Sequence, residues 1–74
     1  MAMMSNKTLH EIFTYHTPTP DQLPKYERIR SKAMALAEVI LEETPESADQ
    51  SAAIRLVREA VMTANAAITL RGLV

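Results

Sequence analysis

The seven residues 44–50, TPESADQ, decide how this chain folds. Pro45 has no backbone N–H and cannot continue a helix, so a helix arriving from the N-terminal side stops at or just before it. Ser47, followed three residues later by Gln50, has the form of a capping box and opens a second helix. The break is short, so the two helices return antiparallel as a hairpin.

The flanks have the periodicity this requires. Upstream, Pro24 to about Thr44 reads as a helix, with Tyr26, Ile29, Ala33, Leu36, Ala37 and Ile40 recurring at spacings of three and four. Glu27, Ser31, Ala35, Glu38 and Glu42 fall mostly on the other side. Pro24 fits the first turn, where a missing N–H costs little, and Asp21 or Gln22 is placed to serve the open N–H groups. At 1.5 Å per residue this helix is a rod about 30 Å long. Downstream, a helix runs from about Ala48 to Leu70 or Arg71, with Gly72 as the expected left-handed stop. It carries two apolar stripes, Ile54, Val57, Val61, Ala64 and Ile68 in one, Ala53, Leu56, Ala60, Ala67 and Leu70 in the other. One partner helix covers one stripe. The second calls for the N-terminal segment or another subunit.

Upstream of the first long helix and running into it, FTYHTPTPDQLPKYERIR (13–30) holds all three aromatic residues, three of four prolines, and His16. The Thr17-Pro18 and Thr19-Pro20 pairs push residues 13–23 toward an extended, rigid arm. Side chains alternate along such an arm, so Phe13 and Tyr15 point together and His16 points away. Before it, Ser5 is placed to cap a short helix over Asn6 to Ile12, with Leu9, Ile12 and Phe13 on its apolar side. Residues 1–4 are expected to fray. The chain thus divides into an N-terminal segment, 1–12, and a hairpin domain, 13–74. The fold class is all-α: an antiparallel helical hairpin with a short N-terminal helix and a Pro-rich arm.

Composition narrows the function. A chain of 74 residues with no cysteine has little core and no disulfide to supplement it, so self-association is the expected source of stability. Two histidines six apart offer no recognised metal spacing. A net charge of −1 argues against a general DNA or RNA binder, while leaving room for a small anionic ligand held by a few local cations. One glycine leaves no Gly-rich phosphate loop and no nucleophile elbow. No apolar run is long enough to span a membrane, and the opening MAMMSNKTLHEIF lacks the basic-then-apolar build of a signal peptide, which fits a cytoplasmic protein.

Candidate contacts follow from residue type and place. Tyr15 offers a ring either to a planar base or to the hairpin as an anchor, alongside Phe13. His16 is the arm's one candidate acid or base, and Asp21 is the nearest carboxylate. Without a fixed partner it reads as a hydrogen-bonding side chain. Arg30, one helical turn from Tyr26, is placed either to grip a phosphate bidentately or to pair with Glu27 or a neighbouring subunit. Lys25, Arg28 and Lys32 read as a solvated face. Arg71 suits the C-terminal end of a helix dipole, and copies meeting at a symmetry axis would form an anion site. Thr69 lies close before it. Asn65, on so apolar a helix, requires a hydrogen-bond partner.

Three segments in order, Phe-x-Tyr-His-x-Pro, x-Gln-x-Pro-x-Tyr-Glu-x-Ile-Arg and Glu-Ala-Val-Met-x-Ala-Asn-Ala-x-Ile, resemble the helical-hairpin domain of phage anti-CBASS and anti-Thoeris proteins, over about residues 12–71. The chain is closer to the compact anti-CBASS members. It departs from them at Thr63, where tryptophan is frequent, and in having Thr69 and Leu70 before Arg71. The resemblance implies a non-enzymatic sponge that assembles as a hexamer and sequesters cyclic nucleotide immune messengers in the cytoplasm of the infected host. It implies cyclic dinucleotides as ligands, cyclic trinucleotides for some members, and cyclic ADP-ribose isomers for anti-Thoeris relatives. By position it implies that Tyr15 stacks on a base, Arg30 meets a phosphate, and Arg71 serves a trinucleotide site. His16, Pro18, Tyr26, Thr69 and Asn65 complete the expected ligand-binding set. Two competing readings are a structural or regulatory hairpin oligomer that binds a protein partner, and a small hydrolase using His16 and Asp21.

Overall fold

In a computed structural model, residues 5–73 are described; the frayed start expected for residues 1–4 lies outside them. Three helices follow one another: α1 Asn6–Phe13, α2 Leu23–Glu43 and α3 Ala48–Thr69. No strand occurs among the described residues. Of the helices, only α2 and α3 pack on each other; α1 stands off from both.

The boundaries have local causes. The Ser5 hydroxyl accepts from the Thr8 N–H at 3.0 Å and opens α1. The helix continues one residue past the expected Ile12, so Phe13 belongs to it and not to the extended segment. At its other end the Thr14 hydroxyl donates to the His10 carbonyl at 2.6 Å. Pro24 lies in the first turn of α2, as its missing N–H allows. At the hairpin tip, Ser47 Oγ accepts from the Gln50 N–H at 3.2 Å, and Gln50 Nε2 donates to the Thr44 carbonyl at 3.0 Å. Gln50 therefore reaches back past the cap residue to the end of α2, and ties the two helices together at the tip.

The hairpin closes on the expected stripes. Ile54, Val57, Val61, Ala64 and Ile68 of α3 are half-buried, as are Tyr26, Ile29, Ala33, Ala37 and Ile40 of α2. Leu36 at 51% and Leu56 at 64% exposure are left open, together with Ala60 and Ala67 of the second stripe. No apolar residue among the described ones is fully buried. The molecule is long, 45 × 32 × 18 Å, with a radius of gyration of 15.6 Å. A compact domain of this length would have about 11 Å.

The C-terminal end of α3 departs from expectation. Gly72 N–H donates to the Ala67 carbonyl at 3.1 Å and Arg71 N–H to the Ile68 carbonyl at 3.2 Å. These two bonds make a Schellman motif. Its left-handed position is held by Arg71, with φ of 52°, and not by Gly72, which follows with φ of 75°. The helix ends at Thr69, one residue short of the expected range, so the left-handed turn begins before the glycine.

Replacing Ser47 with Ala removes the one side-chain cap of the longest helix. The expected loss is about 1 kcal/mol of unfolding free energy by urea titration, with the slope of the transition unchanged. A variant indistinguishable from wild type would show that the tip is set by Pro45 and Gln50 alone.

Candidate functional site

The segment between α1 and α2 is fastened at two levels. His16 Nε2 donates to the Glu11 carbonyl at 2.8 Å, and its ring lies 3.8 Å from the Glu11 carboxylate. The imidazole thus satisfies a carbonyl left open at the end of α1. This is a hydrogen-bonding role. Asp21 is engaged elsewhere, accepting the Thr19 hydroxyl at 2.6 Å. Further along, the Tyr26 hydroxyl bonds the Thr69 hydroxyl, joining the first turn of α2 to the last of α3.

Gln22 is the second fastening. Its backbone occupies the N-cap position of α2, yet its side chain caps nothing there. Its Oε1 accepts from the Thr19 N–H at 3.0 Å, and its Nε2 donates to the Ile68 carbonyl at 3.1 Å. The expectation that Gln22 serves the open N–H groups of its own helix is therefore corrected. Pro24 has removed one of those groups, and the Thr19 carbonyl accepts from Leu23 at 3.3 Å.

These contacts frame a cleft of about 320 Å³, lined by Glu11, His16 and Thr17, by Thr19 and Gln22, and by Thr69 to Arg71. Three sequence-nominated residues, His16, Thr69 and Arg71, come together here, and Tyr26 adjoins through its bond to Thr69. Tyr15, Pro18, Arg30 and Asn65 do not line it. Tyr15 is 81% exposed, Pro18 and Arg30 are exposed, and Asn65 is half-buried on α3. Asn65 has the opposite of what was expected: its Oδ1 is buried and has no partner within the chain. Phe13, an expected anchor, is also 81% exposed. It is the last residue of α1, a helix that packs on neither other helix.

The electrostatics are local and mixed. Asp21 is held below its ordinary value of 3.8, first by the Thr19 hydroxyl and then by its own backbone N–H, against an opposing desolvation, with lesser help from Lys25 and Arg71. Arg71 has a minor influence on Asp21, which does not line the cleft, while Glu11 does. A guanidinium offset by nearby carboxylates is suited to one phosphate, approached from the open side.

Sequence reasoning missed Gln22, Glu11, Thr17 and Thr19 as site formers. One signal was available for Gln22: an amide with both donor and acceptor, placed between Pro20 and Pro24 where main-chain donors are missing.

The class this geometry defines is a small helical hairpin whose open end carries a polar, anion-compatible cleft. The chain belongs to the family described as Acb2/Tad1, hairpin domain, whose model matches residues 5–69. That family comprises phage anti-CBASS and anti-Thoeris sponge proteins and is known for binding cyclic oligonucleotide messengers rather than for catalysis. The matched segment begins at Ser5 and so includes α1. No curated protein and no solved structure matches the chain. Among the described residues, no helix is long and apolar enough to cross a membrane.

Two predictions test the cleft. Arg71 sits where an L side chain strains the backbone, so Arg71→Gly is expected to stabilise the fold by about 1 kcal/mol in urea titration while removing the cleft's guanidinium. A destabilised variant would mean that Arg71 holds the structure. For Asp21, the depressed folded value means its stabilisation is fully present above 3.8 and is lost as pH falls through the lower folded value. Asp21→Asn is therefore expected to lower stability slightly at neutral pH, toward the level the wild type keeps once Asp21 is protonated, and to flatten the fall in the acid range. Thermal melts across pH would read this, and an unaltered acid limb would exclude Asp21 as a contributor.

Proposed function

We propose that the protein binds cyclic oligonucleotide immune messengers and sequesters them uncleaved, as a homo-oligomer, in the cytoplasm of a phage-infected bacterium. Membership of a family known for binding such messengers carries this reading. The geometry supports it in three ways. The arm presents a tyrosine with a free ring face, the form that base stacking needs. The cleft combines a guanidinium with threonine hydroxyls, a set suited to phosphate. His16 and Asp21, the pair a hydrolase would use, are each occupied by other partners.

Exposure supports self-association. The chain has 6268 Å² of accessible surface, where a folded monomer of 8.2 kDa would have about 4,500 Å². An apolar groove of about 450 Å³ between α2 and α3, lined by Ile29, Leu36, Leu56, Val57 and Ala60 among others, is the place to recover that difference. A cyclic dinucleotide has two phosphates and two bases, more than one cleft with one guanidinium satisfies. Pockets shared between copies would bring Tyr15 of one against Arg30 of another. We propose a hexamer on the strength of the family resemblance. In this reading Tyr15 stacks on a base, Arg30 meets a phosphate, and Arg71 and Thr69 serve a separate trinucleotide site. His16 and Pro18 shape the arm, Tyr26 steadies Thr69, and Asn65 finds its missing partner in the assembly.

The experiment is incubation with cyclic dinucleotides, cyclic trinucleotides and cyclic ADP-ribose isomers, followed by native mass spectrometry and chromatography of heat-released ligand. Complexes with intact ligand are expected. No complex with any of them sinks the reading, and an altered ligand replaces it with an enzyme. Tyr15→Ala should weaken dinucleotide binding by about 1–3 kcal/mol in calorimetry, the usual worth of a base stack. A change under twofold would remove Tyr15 from the site.

A further inference from the structure

Gln22, 6% exposed, is the one buried residue among those described, and each of its polar groups is used. Its N–H donates to the Thr19 carbonyl at 3.0 Å, and its own carbonyl accepts from Lys25 at 3.0 Å and Tyr26 at 3.2 Å. Its side-chain amide links the Thr19 N–H to the Ile68 carbonyl, next to Thr69 of the cleft lining. That carbonyl has two lone pairs and is shared. It also accepts the Arg71 N–H at 3.2 Å, one of the two bonds that close the Schellman motif. The carbonyl that fixes the left-handed Arg71 is therefore itself fixed by Gln22.

We propose that Gln22 is the positioning residue of the cleft. It sets the distance between the Thr19 wall and the Thr69–Arg71 wall and holds Arg71 in its left-handed conformation, without itself touching a ligand. The consequence for binding rests on the proposed function, in which Arg71 engages a phosphate. The placement of Arg71 does not. A left-handed arginine is unfavourable on its own, and persists only where its surroundings over-determine it. Each bond of the Gln22 amide is of the strength whose removal from a buried site changes an equilibrium by about tenfold.

Two variants separate the two ends of the amide. Gln22→Met keeps the shape and removes both bonds. Gln22→Glu keeps an acceptor for Thr19 and removes the donor to Ile68. In Gln22→Met, amide hydrogen exchange at Thr19 should rise about tenfold or more, with the middles of α2 and α3 protected as before. The strong intraresidue amide-to-α-proton NOE that marks positive φ at Arg71 should weaken in both variants. Thr19 exchange should stay near wild type in Gln22→Glu. With far-UV circular dichroism unchanged, affinity for cyclic tri-adenylate should fall about tenfold in both. Exchange and NOE at wild-type values in both variants would overturn the proposal. So would altered exchange with undiminished affinity. A wild-type protein that binds no cyclic nucleotide would sink the proposed function alone, and the NOE at Arg71 would still decide whether Gln22 places it.

Discussion

Two helices laid side by side have no inside, and the rest of this structure follows from that constraint. Each helix in a pair can be covered on one stripe only, so every apolar side chain of α2 and α3 keeps part of its surface in solvent. The hydrophobic term that usually holds a domain is correspondingly small. Specific polar ties carry more of the burden of defining the conformation. They are concentrated at the two ends of the hairpin. At the tip, Gln50 reaches Thr44; at the open end, Gln22 reaches Ile68 and Tyr26 reaches Thr69. The candidate cleft lies at the second of these ends, where the ties are densest.

The helices were legible because their signals are local. Ser5, Pro24, Pro45 and Ser47 each act within a few residues of themselves, and the stripes of α2 and α3 are plain at helical spacing. The reading failed where the deciding partner is remote in sequence. Gln22 looked like a cap because capping is a short-range role, whereas its real acceptor is the Ile68 carbonyl, far along the chain. Gly72 looked like the helix stop because glycine tolerates positive φ best. The stop falls at Arg71 instead, in a turn closed by carbonyls of α3 and reinforced from α2.

The candidate site was legible in part, for a related reason. His16, Thr69 and Arg71 were each singled out by type and place, and folding brings them to one cleft. Tyr15 and Arg30 were singled out equally well, yet in a single chain both face solvent. In the proposed assembly their partners belong to another copy, and such partners are not to be found in one sequence read alone. The bare Oδ1 of Asn65 has the same quality: a buried acceptor with nothing in its own chain to satisfy it.

The placement of Arg71 has a bearing on what changes α3 tolerates. The helix is pinned at its start by Ser47 and at its finish by the turn that carries Arg71. Between these points its residue count acts as a ruler. One inserted residue would advance the end by about 1.5 Å and turn it through about 100°, carrying the guanidinium away from Thr19 and His16. An insertion in the 44–47 link would leave that register intact. Sequence drift in length should therefore collect at the tip, while α3 keeps its count even where its side chains change.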